Sequence, residues 1–202
     1  DTSNGILVRT PVVVLDRTVP GYPTVGVDYV EAGRMGARHL LDAGHRRIGI
    51  ITGPTDIASM RDRCDGAEAL IRAEGELVFR VGNAFSSDLE PQAQAVLDSG
   101  GATAVFAAAD VIAIGAVRRI QAKGLRVPED MSILGFDDIP LGEQCLPPLS
   151  TIELPVEDMA ERAIAMLVAQ IAPPQDLAVS TAVVVATRLV LRASTTVRRS
   201  TA

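Results

Sequence analysis

Tryptophan is absent from this 202-residue chain, and its aromatic residues are limited to two Tyr and four Phe. An extended surface that stacks bases or sugar rings needs a series of aromatic faces, so a platform of that kind is excluded. Cysteine and histidine occur twice each. Cys64 and Cys145 lie far apart with no paired spacing, so neither a disulfide framework nor a zinc site can be assembled from them, and a reducing compartment is expected. Clustered positive charge is also missing: 19 Lys and Arg against 25 Asp and Glu leave a formal charge of −6. Phosphate binding needs concentrated Lys and Arg, so this stretch does not itself grip DNA. No run approaches membrane-spanning length, and the opening DTSNGILVRTPVVVLDR has no basic region followed by a long apolar core. A soluble, cytoplasmic chain without membrane contact is therefore expected.

What is present is ordinary for a globular domain, 48% apolar and 22% charged, enough to bury one large core or two small lobes. Pro11 to Leu15 (PVVVL) reads as a strand buried on both faces, ending at Asp16. Val25 to Val27 is a short extended piece. Asp28 then opens a helix, with Glu31 three residues on in a capping-box arrangement, and Gly44 ends it. Strands over Arg47 to Thr52, Leu77 to Val81, Ala104 to Ala107 and Met131 to Phe136 alternate with helices over about Ser59 to Glu74, Leu89 to Ser99 and Asp110 to Lys123, the last stopped by Gly124. A helix over Val156 to Ile171, the pair Pro173-Pro174 and a strand over Ala182 to Leu191 follow. Strict alternation of this kind predicts βαβ units, a parallel sheet and a doubly wound α/β architecture. The first strand has nothing before it to flank it, which predicts that the first lobe is incomplete in this chain.

In an open α/β sheet the carboxyl ends of the strands face the ligand crevice. The segment MSILGFDDI (Met131 to Ile139) runs an apolar strand straight into Asp137 and Asp138. A pair of Asp residues also suits a loop start, because Asp forms its own turn hydrogen bonds; the strand-end position favours ligand contact for Asp137. Ser59 and Arg63 are four apart on one helical face. Arg63 offers a planar fork of donors, or is solvated beside Asp62 and Asp65. Phe85, in a loop, either plugs a local core or stacks on a ligand. Asp110 reads first as a helix cap and second as a ligand contact. Asp16 is a further crevice candidate by the strand-end rule. His39 and His45 have structural readings. No catalytic triad, nucleophile elbow, metal-spaced cluster or phosphate-cradling loop is present, so neither catalytic residues, nor a metal, nor a cofactor is expected.

The landmarks VLDR (Val14 to Arg17), HLLDAGHRRIG (His39 to Gly49), TGP (Thr52 to Pro54), RDR (Arg61 to Arg63), AIGA (Ala113 to Ala116), GLRVPED (Gly124 to Asp130), GFDD (Gly135 to Asp138) and PPLSTI (Pro147 to Ile152) are jointly specific in order and spacing. With them the chain resembles the effector-binding domain of LacI/GalR-type bacterial transcriptional regulators. The resemblance implies the two-lobed, type I periplasmic-binding-protein-like fold, with hinge crossings near Asp28, Ile152 and Thr187. Residues 1–27 and 153–186 would form a partial N-terminal lobe, 28–152 and 187–197 the C-terminal lobe, and 198–202 a frayed tail, with the helix-turn-helix DNA-binding head absent. It implies a non-catalytic sensor in which lobe closure on a small-molecule effector, a sugar or related metabolite, alters the grip of a homodimer on operator DNA through that missing head. An exported sugar-binding protein of the same fold is the alternative, and a small enzyme using Asp137 and Asp138 is a third reading.

Residue by residue, the resemblance makes Arg63 the arginine that grips effector hydroxyls, Asp137 the carboxylate that accepts from them and Phe85 the stacking aromatic, with Ser59 and Asp16 as lesser polar contacts. Two positions depart from the family. Ala107-Ala108-Ala109 precede Asp110 where an Asn is common, and Leu154 stands where a Gln is common. Each ligand hydroxyl stranded in a buried site costs about 1–3 kcal/mol, which points to an effector smaller or less polar than a hexose.

Overall fold

The structure, a computed structural model, describes residues 10–171 and 182–197. Its contacts divide into two compact units, one of residues 1–27 and 155–185, the other of 28–154 and 186–202. The expected pair Pro173-Pro174 and the tail 198–202 lie outside the described residues.

In the first unit, β1 (Val14–Leu15), β2 (Thr24–Gly26) and β8 (Ala182–Val184) form a parallel sheet in the order β1-β2-β8. Helix α6 (Val156–Ile171) buries Met159, Ala163 and Met166, a stripe at helical spacing. The Gln170 side chain accepts from Val12 N and donates to Val12 O, each at 3.2 Å, which ties the helix to the segment leading into β1. The strand expected over Pro11 to Leu15 pairs only at its last two residues and is not buried on both faces: Val12 and Leu15 are 37% and 44% exposed. The reason is that, among the described residues, β1 has a neighbour on one side only, β2.

The second unit holds a six-stranded sheet in the order β4-β3-β5-β6-β7-β9: β3 (Arg47–Thr52), β4 (Glu76–Gly82), β5 (Ala104–Ala107), β6 (Ser132–Asp137), β7 (Ser150–Glu153) and β9 (Arg188–Val190). All pairs are parallel except β7 with β9. The central strands β5 and β6 are buried almost throughout, as a parallel sheet covered on both faces requires. Helix α1 (Tyr29–Asp42) leads into β3, and α2 (Ala58–Glu74), α3 (Pro91–Asp98) and α4 (Asp110–Ala122) connect β3 to β4, β4 to β5 and β5 to β6, with the short α5 (Pro140–Glu143) before β7. Asp28 caps α1 as expected, its Oδ1 accepting from Glu31 N at 2.9 Å. The stop glycines Gly44 and Gly124 have φ of 87° and 76°, the left-handed conformation that favours Gly.

Three expectations are corrected. The run from Ala182 to Leu191 is not one strand: it passes between the units at Val185/Ala186, so Ala182–Val184 serves one sheet and Arg188–Val190 the other. Strand β7 is not foreseen, because its Ser150 and Thr151 look like loop residues. Both are fully buried, Ser150 Oγ accepting from Arg192 N at 2.9 Å and Thr151 Oγ1 donating to Asp110 at 2.7 Å. Asp110 is not a cap; it is the first helical residue, and Ala109 occupies the cap position.

At the amino end of the sheet, His45 is buried, with Nδ1 3.0 Å from Thr103 Oγ1 and Nε2 3.1 Å from Ser132 Oγ. Ser194 Oγ donates to Ile133 O at 2.6 Å and accepts from Ser150 N at 2.8 Å, fastening the segment after β9 to the sheet.

Candidate functional site

The strand order places a topological switch between β3 and β5, since the chain leaves β3 to one side for β4 and returns on the other for β5. A crevice at the carboxyl ends of the strands is expected there, and Arg63 reaches it from the second turn of α2. Its side chain is 3% exposed. Nε donates to Ser59 O at 3.1 Å, and Nη1 donates to Ala108 O, just beyond β5, at 2.9 Å and to Asp137 Oδ1, at the end of β6, at 3.3 Å. The guanidinium carbon lies 3.8 Å from the Phe136 ring centre and 4.6 Å from that of Tyr29. Two aromatic faces and two carbonyls thus hold a cation that would otherwise be costly to bury. Arg61, by contrast, is exposed beside Asp62, and Asp65 pairs with Arg80, so neither carboxylate expected beside Arg63 is its partner in the core.

Helix α2 can deliver Arg63 because α1 crosses it closely at a glycine. A Cβ on Gly33 would lie 1.8 Å from Arg63 O, so a larger residue there would push α2 and its arginine outward.

Asp137 and Asp138 both have positive φ, 113° and 60°. Non-glycine residues hold such conformations only where their surroundings over-determine them, and they concentrate at functional sites. The two carboxylates have different partners. Asp137 faces Arg63, and its carbonyl accepts from Leu154 N at 3.3 Å. Asp138 Oδ1 lies 2.7 Å from Arg192 Nη1 as an ion pair whose N–H is not aligned for a hydrogen bond. Arg192 in turn donates to Leu149 O at 2.9 Å.

Asp110 is fully buried beneath this turn. Its Oδ1 accepts from Thr151 Oγ1 at 2.7 Å and its Oδ2 from Ile139 N at 2.9 Å. Burial pushes its carboxyl up to about 7, against the pull of those two hydrogen bonds.

Of the residues singled out in the sequence, Arg63 and Asp137 are brought together, Ser59 joins them through its backbone carbonyl, and Asp110 stands behind them. Phe85 lies in the loop after β4 and is 58% exposed. Strand β4 is three positions from β6 in the sheet, roughly 14 Å at the usual inter-strand spacing. Asp16 follows β1 in the other unit, with φ of 64°. Sequence reasoning missed Tyr29, Phe136 and Thr151; the signal for Phe136 is its place one residue before Asp137 on a strand whose carboxyl end lines the crevice. A cleft of about 740 Å3 between α2 and the ends of β3 and β4 contains neither Arg63 nor Asp137, and its cations are matched, Arg72 by Glu68 and Arg80 by Asp65 and Glu68, at 2.7 Å each. Among the described residues no group of three or more His, Cys, Asp or Glu is placed to hold a metal ion, and no helix is long and apolar enough to cross a membrane.

Residues 37–195 match the family model of a periplasmic binding protein-like domain. The chain is similar to the ribose operon repressor of Haemophilus influenzae, 36% identical over 149 residues that cover 71% of this chain and 45% of the repressor. The chain thus spans about half the length of the curated relatives it matches. Among solved structures, a dimeric Lac repressor aligns with a TM-score of 0.83 at 27% identity, covering 93% of this chain and 69% of that one. A LacI family transcriptional regulator from Enterococcus faecium with bound ribose aligns with a TM-score of 0.81 at 26% identity, covering 94% and 72%. By the family model, the order of its motifs and the shared fold, this chain belongs to the periplasmic binding protein-like domains, in the branch carried by LacI-type transcriptional regulators.

Proposed function

We propose that this chain is the effector-sensing part of a DNA-binding transcriptional regulator, non-catalytic, working in the cytoplasm as a homodimer, and that Arg63 and Asp137 bind a small polyhydroxylated effector of about pentose size. The observation that carries the reading is the pairing itself. A buried arginine, held by two aromatic faces and two carbonyls, is aimed at a strand-end carboxylate. A donor fork opposite an acceptor is what vicinal hydroxyls need for orientation.

Three further facts support this. One relative is named a ribose operon repressor, and one structural neighbour holds ribose. Ala109 and Leu154 put apolar groups where amides are common in such sites, which leaves fewer partners for a hexose. The dimeric Lac repressor supports the dimer, and the relatives' names as repressors support operator DNA as the partner of the whole protein. Ser59, through its backbone carbonyl, and Asp110, through the turn it holds, support this pair. An effector can shift such a regulator between states only by binding one of them more tightly.

Calorimetric titration of the chain with D-ribose, D-glucose and a nucleoside tests the reading. Ribose is expected to bind, and Arg63→Met to abolish binding without loss of the fold. Equal ribose affinity in that variant would remove Arg63 from the site, and binding of glucose alone would overturn the size argument.

A further inference from the structure

We propose that Asp110 is a positioning residue for Asp137: its buried carboxylate fixes the turn that follows β6 and so holds the effector-facing carboxylate in a backbone conformation it would not otherwise keep. This rests on the reading of Asp137 as an effector ligand. The geometry is specific. Asp137 and Asp138, with φ of 113° and 60°, are followed directly by Ile139, whose N–H donates to Asp110 Oδ2 at 2.9 Å. The other oxygen, Oδ1, takes the hydroxyl proton of Thr151 on β7 at 2.7 Å, and β7 is the strand that pairs with Asp137 through Glu153. One carboxylate therefore clamps both the exit from the strained pair and the neighbouring strand.

Room for the clamp is made in the sequence. A Cβ on Gly135, in β6, would lie 2.1 Å from Asp110 Oδ1, so the carboxylate occupies the space a side chain would take. Asp110 is fully buried, with both oxygens committed, and so acts on an effector only through the turn. Strain at a site of this type persists where surrounding bonds over-determine it; removing the Ile139 bond removes the constraint closest to Asp137.

The test compares Asp110→Asn, Asp110→Ala and Thr151→Val in the 202-residue chain by amide NMR without ligand and by D-ribose titration. An Asn can accept from Ile139 N through its oxygen and donate to Thr151 through its nitrogen. Asp110→Asn should therefore leave the amide shifts of Asp137 and Asp138 and the exchange protection of Ile139 near those of the unaltered chain, with ribose affinity within about threefold. Thr151→Val, which removes one hydroxyl and keeps the shape, should weaken Ile139 protection and raise the ribose Kd about tenfold. Asp110→Ala should do both more severely or fail to fold, in which case Thr151→Val decides. Unmoved Asp137 and Asp138 amides in Thr151→Val would overturn the proposal. So would loss of protection with unchanged ribose affinity. If the unaltered chain binds no ribose, the pentose reading fails by itself, and the amide signals alone settle whether Asp110 positions Asp137.

Discussion

Arg63 Nη1 donates to Asp137 Oδ1 at 3.3 Å while the same guanidinium lies 3.8 Å from the Phe136 ring centre. Two residues adjacent in sequence, Phe136 and Asp137, thus meet one arginine from a different element, Phe136 through its ring face and Asp137 through its carboxylate. Arg63→Met keeps the apolar stem and much of the stacking but loses the fork. Hydrogen bonds to charged groups are worth about 1.5–3 kcal/mol each, so losing two contacts to a ligand should weaken binding by at least about a hundredfold. The variant's Tm, read by circular dichroism beside the titration, separates lost contacts from lost fold. A ribose Kd unchanged in a folded variant would count against the site.

The close crossing of α1 and α2 gives a second prediction, distant from the ligand. Gly33→Ala places a methyl group 1.8 Å from Arg63 O, and neither backbone can yield without moving a helix. Overpacking of this kind costs about 1–3 kcal/mol. Urea unfolding should show that loss. Because α2 carries Arg63, effector affinity should fall as well, although Gly33 touches no ligand. Full affinity in a destabilised Gly33→Ala chain would mean that α2 can shift without displacing the arginine.

Most of the second unit's sheet was legible because its strands are apolar and buried. Arg47–Thr52 and Ala104–Ala107 have the expected bounds, as does helix Val156–Ile171 in the first unit. What escaped was polar and buried. Strand β7 hides because Ser150 and Thr151 satisfy their hydroxyls with Arg192 N and Asp110, contacts that no periodicity reveals. Asp110 itself resembles a helix cap in sequence, since position before a helix and type of residue both fit; only the three-dimensional neighbours Thr151 and Ile139 assign its carboxylate elsewhere. Asp137 stands out in the sequence by strand-end logic and Arg63 by the family resemblance, whereas the aromatic faces around Arg63 depend on Tyr29 in α1, which local sequence does not connect to it.

Ser194→Ala serves as a contrast at the opposite end of the sheet. The hydroxyl is fully buried, donates to Ile133 O and accepts from Ser150 N, so its removal strands two backbone groups. The expected cost is about 1–3 kcal/mol, read as a lower urea midpoint. Ribose affinity should not change, because the carboxyl-end crevice is untouched. A parallel loss of affinity would show that the two ends of the sheet are coupled.

Asp110 also sets the pH dependence of stability. Burial pushes its carboxyl up to about 7, helped by the charges of Asp137 and Asp138 and opposed by its bonds to Thr151 and Ile139. The Cys145 thiol, itself raised by burial, is a further titratable group near the same carboxylate. Between the unfolded carboxyl value near 4 and about 7 the folded chain holds a proton that the unfolded chain has released, so stability falls as pH rises through this window and levels above it. The stabilisation present below pH 4 and lost by about pH 8 amounts to about 4 kcal/mol for a shift of this size. Arg119 holds the Asp98 carboxyl down to about 2; that contribution has the opposite sign and is lost as pH falls below 4. Burial holds the His39 imidazole below its ordinary value, which adds a rise in stability with pH toward neutral, so thermal unfolding followed from pH 4 to pH 8 should show the Asp110 decline as the difference between the unaltered chain and Asp110→Asn. In Asp110→Asn, which cannot ionise, stability should fall less, or rise more, between pH 5 and pH 7 than in the unaltered chain. An equal slope in the two chains would place Asp110 outside the titration.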